Sequence, residues 1–214
     1  MNVGDIVFSV ATINDERSTK LPRVFIRAGQ WLKMKVFSGG EAPRVPIVHA
    51  AIAVGNNTVI ESVGDGIVAT NLADERPPRS GLIFTPTNTA LGDAAAFAAS
   101  QFFNDRENSN ICGEYSCTKA MLSVIRSGPG GNDLIQRIND SVAIGHQSFC
   151  SQFVVNCYEI GNLYISANLN PPPPSIFNQR PAAMTPYELA EFCDSLGSGF
   201  RFAGFWQDGV QCQL

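Results

Sequence analysis

Apolar residues follow two rhythms along this chain. An alternating or β-branched rhythm marks "GDIVFSVA" (4–11), the two runs of "IVHAAIAVGNNTVIESV" (47–63), "GDGIVATNL" (64–72), "LIFTPT" (82–87) and "GFRFAGFW" (199–206), and these segments read as strands. A helical rhythm marks "LPRVFIRAGQWLKMKVFSGG" (21–40), "ALGDAAAFAASQFF" (90–103) and "EYSCTKAMLSVIRSG" (114–128). It returns in "FCSQFVVNCYEIG", read as a helix closed by Gly161, and in "MTPYELAEFCDSLG" (184–197). In the last of these Thr185 is the cap, Pro186 the first helical residue, and Glu188 reaches back to complete a capping box. The prolines at 171–174 predict a rigid extended loop. Strands and helices segregate rather than alternate strictly. This predicts an α+β fold with an antiparallel sheet packed against helices, in a single domain over residues 1–214.

The hairpin at 47–63 carries a register prediction. Gly55, Asn56 and Asn57 tolerate the positive φ of a hairpin turn. A three-residue loop there sets Val54 opposite Thr58, Ala51 opposite Glu61 and His49 opposite Val63. Glu61 then lies diagonal to His49 on one sheet face, with small Ala51 between them. A two-residue loop would turn Glu61 to the other face.

Composition narrows the function classes. Hydrophobic residues make up 44% of the chain, charged residues 16%, and the net charge is −4, which argues against a general nucleic-acid binder. No apolar run approaches the roughly 18 residues of a membrane span. "MNVGDIVFSV" lacks a basic stretch followed by a long apolar core, so no signal peptide is expected and synthesis is expected in the cytoplasm. Arg23, Arg27, Lys33 and Lys35 make the 21–40 segment locally basic. It reads either as a solvated face or as a rim that attracts an acidic substrate or a membrane surface. The six cysteines form no C-x-x-C pair and only two histidines exist, which suits no zinc site, so no metal is expected, and the thiol chemistry considered below requires no organic cofactor. Free thiols are the expectation, although Cys112 and Cys117 could be bridged in an oxidising compartment.

Cys150 has three readings: a packing residue, half of a disulfide, or a nucleophile. As a packing residue it begins the apolar stripe 150/153/154/157. As a nucleophile it gains from its place in a first helical turn, with Ser148 as cap, because unpaired N–H groups and the helix dipole favour a thiolate. A nearby imidazole would take its proton. His49, at a strand start with Glu61 aimed at it, is the candidate base. A carboxylate there fixes the imidazole tautomer and stabilises its protonated form. Asp65 is the alternative carboxylate. His146 is the rival base, placed second because the turn leading into the helix points it away from the first turn. Cys157 and Cys193 read as core.

These pieces together resemble the NlpC/p60 family of papain-like cysteine peptidases and amidases. The family has a cysteine heading a helix ("FCSQFVVNCY" here), a strand of the type "GDLVFF" ("GDIVFS", 4–9), and a strand of the type "HVGIYVG" ("VHAAIAVG", 48–55). A third polar residue follows about a dozen positions after the histidine, where this chain has Glu61. Here the cysteine helix comes last, as a circular permutation would leave it. A permuted branch of the superfamily includes relatives of lecithin:retinol acyltransferase, and "MTPYEL" resembles an element that follows the cysteine helix in permuted bacterial members. The chain departs from the pattern in having Ala50-Ala51 where Val-Gly is usual and a long insertion over 62–145.

The resemblance implies a permuted papain-like fold with Cys150 as nucleophile, His49 as base and Glu61 as its orienter. Tyr115 and Ser151 become candidates for the oxyanion or substrate-binding role. The implied reaction is cleavage of an amide bond through a thioester, in the first instance in a peptidoglycan peptide. A leaderless export route, as for a secreted effector, would reconcile a cell-wall substrate with the absence of a signal peptide, and such an effector could have an inhibitor or immunity partner. The alternatives are an acyltransferase or lipid-directed thiol enzyme at a membrane surface, and a catalytically silent binding module of the same fold.

Overall fold

The computed structural model describes residues 1–10, 47–63, 66–75, 79–108, 150–167, 169, 173–177, 184–207 and 210–212. The expected helices at 21–40 and 114–128 lie outside the described residues. So do the basic residues Arg23, Arg27, Lys33 and Lys35, the Cys112–Cys117 pair, and the first two prolines of the 171–174 run.

The described residues form an α+β fold. Its strands are β1 (Ile6–Val10), β2 (Ile47–Gly55), β3 (Thr58–Val63), β4 (Gly66–Asn71), β5 (Ser80–Pro86), β6 (Phe200–Gln207) and β7 (Val210–Cys212). Its helices are α1 (Thr89–Asn108), α2 (Cys150–Ile165) and α3 (Pro186–Asp194). The strands make one antiparallel sheet in the order β4-β3-β2-β1-β5-β6-β7. Strand β1 is central and buried at all five positions, which is why its run is continuously apolar apart from Ser9.

The period of two divides the sheet's side chains between its faces. Ile6, Phe8, Ala50, Ile52, Ile60, Leu82 and Phe84 pack into the main core with Phe153, Val154, Tyr158 and Leu189 of the helices. Val7, Ala51, Ala53, Val59 and Ile83 form a smaller cluster around Trp206 on the other face. Trp206 donates its indole N–H to the Phe8 carbonyl across β5, at 3.3 Å. Gly81 makes this possible, because a Cβ there would stand 1.6 Å from that carbonyl oxygen and 2.5 Å from the indole nitrogen.

Helix α2 is buried from Cys150 through Gly161 and lies against α1. The expectation that Gly161 ends this helix is corrected: the helix continues to Ile165. Gly161 serves packing instead. A Cβ there would meet the Ala95 nitrogen at 2.9 Å and the Ala94 carbonyl carbon at 3.1 Å, so the glycine and the alanine run "AAAFAAS" let the two backbones approach closely. Tyr158 anchors α2 to the sheet end by donating its hydroxyl to the Gly4 carbonyl. Helix α3 begins as its sequence predicts. The Thr185 hydroxyl accepts from the Glu188 N–H at 3.2 Å, and the Glu188 carboxylate accepts from the Thr185 N–H at 2.7 Å. The short strand β7 after "GFRFAGFW" was not anticipated. It extends the sheet edge through Phe205, Trp206 and Gln207.

The hairpin differs from the prediction in its turn and agrees with it in its register. Asn56 and Asn57, with φ of 52° and 59°, form a two-residue turn between Gly55 and Thr58. A two-residue turn alone would have reversed the face of Glu61. An irregularity between Ala53 and Gly55 leaves Val54 as the extra residue, so Ala53 pairs with Val59 and Ile52 with Ile60, as the three-residue loop required. Gly55, at φ 104°, accommodates the bulge.

Candidate active site

Strands β2 and β3 part company where the polar residues begin. Their ladder ends at Ile52 and Ile60. Strand β2 nevertheless stays paired to β1 as far as Ile47, and β3 stays paired to β4 as far as Val63. The expected cross-strand pairs Ala51–Glu61 and His49–Val63 are therefore not ladder pairs. Into the space between the strands comes the first residue of α2. The Cys150 sulfur accepts hydrogen bonds from the backbone N–H groups of Ala50 and Ser151 and is hydrogen-bonded to the His49 ring. The Ala50 N–H reaches the sulfur in the part of β2 where β3 has withdrawn.

A second irregularity sits beside the histidine. Ser9 of β1 pairs with His49 and Val10 with Ile47, so Val48 is an extra residue bulged toward solvent. Bulges redirect the neighbouring side chain, and here the neighbour is His49. Its Nε2 lies 2.6 Å from Glu61 Oε2. That oxygen sits off the line of the ring N–H, so the contact is closer to an ion pair than to an aligned hydrogen bond. The imidazole thus stands between a thiol and a carboxylate.

Glu61 is held from three sides. It shares a face with Val59 and therefore with Thr70 of β4, which pairs with Val59. The Thr70 hydroxyl donates to Oε1 at 2.5 Å. Arg79 spans both oxygens, its Nη2 donating to Oε1 at 3.0 Å and its Nη1 to Oε2 at 3.2 Å. Arg79 in turn pairs with Glu75 at 2.5 Å.

The electrostatics follow from this arrangement. Burial opposes charge on every member, and their mutual contacts override it. Burial alone would depress the His49 pKa, but its close contacts and charge interactions with Cys150 and Glu61 raise it to about 9. Burial alone would raise the Glu61 pKa, but His49, Arg79 and Thr70 bring it down to about 2. The Cys150 thiol, likewise opposed by burial, is lowered by His49 and by the two backbone N–H groups. Each shift runs toward the charged form of its group: thiolate for Cys150, imidazolium for His49 and carboxylate for Glu61. Side-chain exposure is 16% for His49 and 2% for Glu61, and Cys150 as a residue is 9% exposed.

The structure therefore brings Cys150, His49 and Glu61 together. Ser151 is fully buried, and its hydroxyl donates to the Met184 carbonyl at 2.6 Å. Its side chain is thus committed to the fold, and what Ser151 turns toward Cys150 is its backbone N–H. Tyr115, Asp65, His146 and Ser148 lie outside the described residues. Sequence reasoning missed Arg79 and Thr70. Thr70 was recoverable from the alternation of β4 once its register was known. Arg79 sits after "ERPP" with no pattern to mark it. Cys150, Cys157, Cys193 and Cys212 are free thiols. Among the described residues no cluster of His, Cys, Asp and Glu could hold a metal ion, and no helix is long and apolar enough to cross a membrane.

Comparison with protein-family models, with curated proteins and with solved structures finds no match to this chain.

Proposed function

We propose that this protein is a cysteine-dependent amidase or peptidase of permuted papain-like type, akin to the NlpC/p60 family. The observation that carries the reading is the contact chain at the start of α2. A thiol supplied with two backbone N–H donors meets an imidazole, and the imidazole is held 2.6 Å from a buried carboxylate. A purely structural cysteine has no need of this arrangement, as Cys157 of the same helix illustrates.

In the proposed reaction the Cys150 thiolate attacks an amide carbonyl carbon. The developing oxyanion is met by main-chain N–H groups at the helix start, where helical geometry leaves donors unpaired. The carbonyl re-forms as the C–N bond breaks, and His49 gives its proton to the departing amine. A thioester remains on Cys150. His49, now neutral, takes a proton from water, the hydroxide adds to the thioester carbonyl, and collapse releases the acid and regenerates the thiolate. Glu61 keeps the ring oriented and compensates its charge throughout.

For substrate we propose an amide bond in a peptidoglycan peptide, on the strength of the sequence resemblance. The test is digestion of purified cell-wall peptides read by mass spectrometry, with Cys150→Ala as control. New amine and carboxylate termini that vanish in the variant support the reading. Intact peptides combined with transfer of an acyl group to an added amine or lipid acceptor favour the acyltransferase alternative. Iodoacetamide at about pH 6 tests the thiolate directly. Preferential alkylation of Cys150 is expected, and equal labelling of all the thiols would leave a silent binding module.

A further inference from the structure

From the sulfur outward, one contact leads to the next: the Cys150 thiol, whose pKa is lowered, the His49 imidazole, whose pKa is raised, the Glu61 carboxylate, the Arg79 guanidinium and the Glu75 carboxylate. Four elements or connecting segments contribute. Cys150 comes from α2, His49 from β2, Glu61 from β3, and Glu75 and Arg79 from the connection between β4 and β5. The two cations share one anion. Glu61 Oε2 contacts both the His49 ring and Arg79 Nη1, while Oε1 receives Arg79 Nη2 and Thr70.

We infer that Arg79 is a positioning residue that competes with His49 for Glu61, and so limits how tightly the imidazole holds its proton. The inference rests on the proposed reading of Cys150 and His49 as the reacting pair. A carboxylate given wholly to the imidazolium would stabilise that cation and make it a poorer acid toward a leaving amine. A carboxylate engaged on both oxygens by a guanidinium gives the ring orientation with less stabilisation of its charge. Glu75 acts one step further out. By pairing with Arg79 it weakens the guanidinium's pull on Glu61, so its effect on His49 has the opposite sign. Around the ring, the described charged and titratable groups that enter this balance are Cys150 from α2, Glu61 from β3, and Arg79 and Glu75 from the β4–β5 connection.

The chain has only two histidines, so the His49 ring proton resonance can be followed by NMR and assigned with His49→Gln. The experiment is a pH titration of that resonance in the full-length wild type, Arg79→Gln, Arg79→Lys and Glu75→Gln. Two cations that share one carboxylate in a partly buried site are expected to shift one another by about one pH unit or more. Arg79→Gln is therefore expected to raise the His49 midpoint by about that much, with Arg79→Lys restoring most of it. Glu75→Gln is expected to lower the midpoint by a smaller amount. Opposite signs from neighbouring positions are a signature that loosened packing does not produce. An unchanged or lowered midpoint in Arg79→Gln overturns the inference. Should that variant not fold, a raised or unmoved midpoint in Glu75→Gln overturns it instead. Because the titration needs no substrate, the inference can fail while amide cleavage succeeds, and the reverse.

Discussion

Helix α2 carries two cysteines on one stripe, two turns apart, and they are chemically opposite. Cys157 is fully buried among core side chains, and burial alone pushes its pKa well above the ordinary thiol value. Cys150 is buried nearly as deeply, yet its pKa is lowered. Burial is the largest single influence on both. The difference is made by position along the helix. At Cys157 the backbone N–H groups are spent on the helix itself. At Cys150 the helix begins, an N–H of the first turn and one from an unzipped strand are available, and an imidazole faces them. The same residue type on the same helix is thus held toward its neutral form in one place and drawn toward its charged form in the other.

The largest expected effect separates the two directly. Cys150→Ala should abolish amide turnover, a loss of at least about a thousandfold, with the fold retained. Cys157→Ala should leave turnover within a few-fold while lowering the thermal midpoint, since it opens a small cavity in the core. Peptide cleavage and thermal melts on both variants measure the contrast. Turnover surviving in Cys150→Ala would move the chemistry elsewhere.

Next in size is the carboxylate that makes the first turn different. Glu61→Gln leaves Arg79 and His49 without their shared anion in a site that is 2% exposed at Glu61, and should cost about 3 kcal/mol in urea unfolding. It should also slow alkylation of Cys150 near neutral pH, because an imidazolium without its carboxylate is a weaker partner for the thiolate.

The pH dependence of stability sharpens the same point. His49 has a raised pKa, so its contribution is fully present below its ordinary 6.5 and is lost as pH rises through about 9. Glu61 has a lowered pKa, so its contribution is present above its ordinary 4.5 and is lost as pH falls toward about 2. The wild type should therefore draw most stability from this cluster between those two ordinary values. The urea midpoints of Glu61→Gln should show a flatter profile on both sides. A variant profile parallel to the wild type's would remove the electrostatic account of the site.

The smallest effect tests the buried half of the helix. Gly161→Ala improves helix propensity but drives a methyl group against the Ala94–Ala95 backbone, so a net loss of about 1–2 kcal/mol is expected. Labelling of Cys150 should not change, since the perturbation lies three turns away. A gain in thermal midpoint would show that the two helices have room to spare.

Features that depend on residues three or four apart were legible in advance. The capping box of α3 needs only Thr185, Pro186 and Glu188, and it formed as read. The Gly-Asn-Asn turn announced the hairpin, and counting outward from a three-residue loop gave the register in which Ile52 meets Ile60 and Ala53 meets Val59. Gly161 misled because glycine ends helices often enough to be read so, and only the presence of α1 alongside explains why it lies within one. The loop length misled because a bulge at Val54 and a two-residue turn add up to the same register as a three-residue loop.

What the chain decided by itself is the placement of reactive groups on elements: a thiol at a helix start, an imidazole near a strand start, and a carboxylate twelve residues on. These follow from local periodicity and capping, which act over a few bonds. What only the tertiary structure decided is that β2 and β3 separate beyond Ile52 and Ile60, that Val48 bulges beside His49, and that Arg79 closes on Glu61. Those depend on contacts between residues far apart in sequence. The energy of such contacts comes from burying charges together and fitting backbones face to face, and no local pattern encodes it.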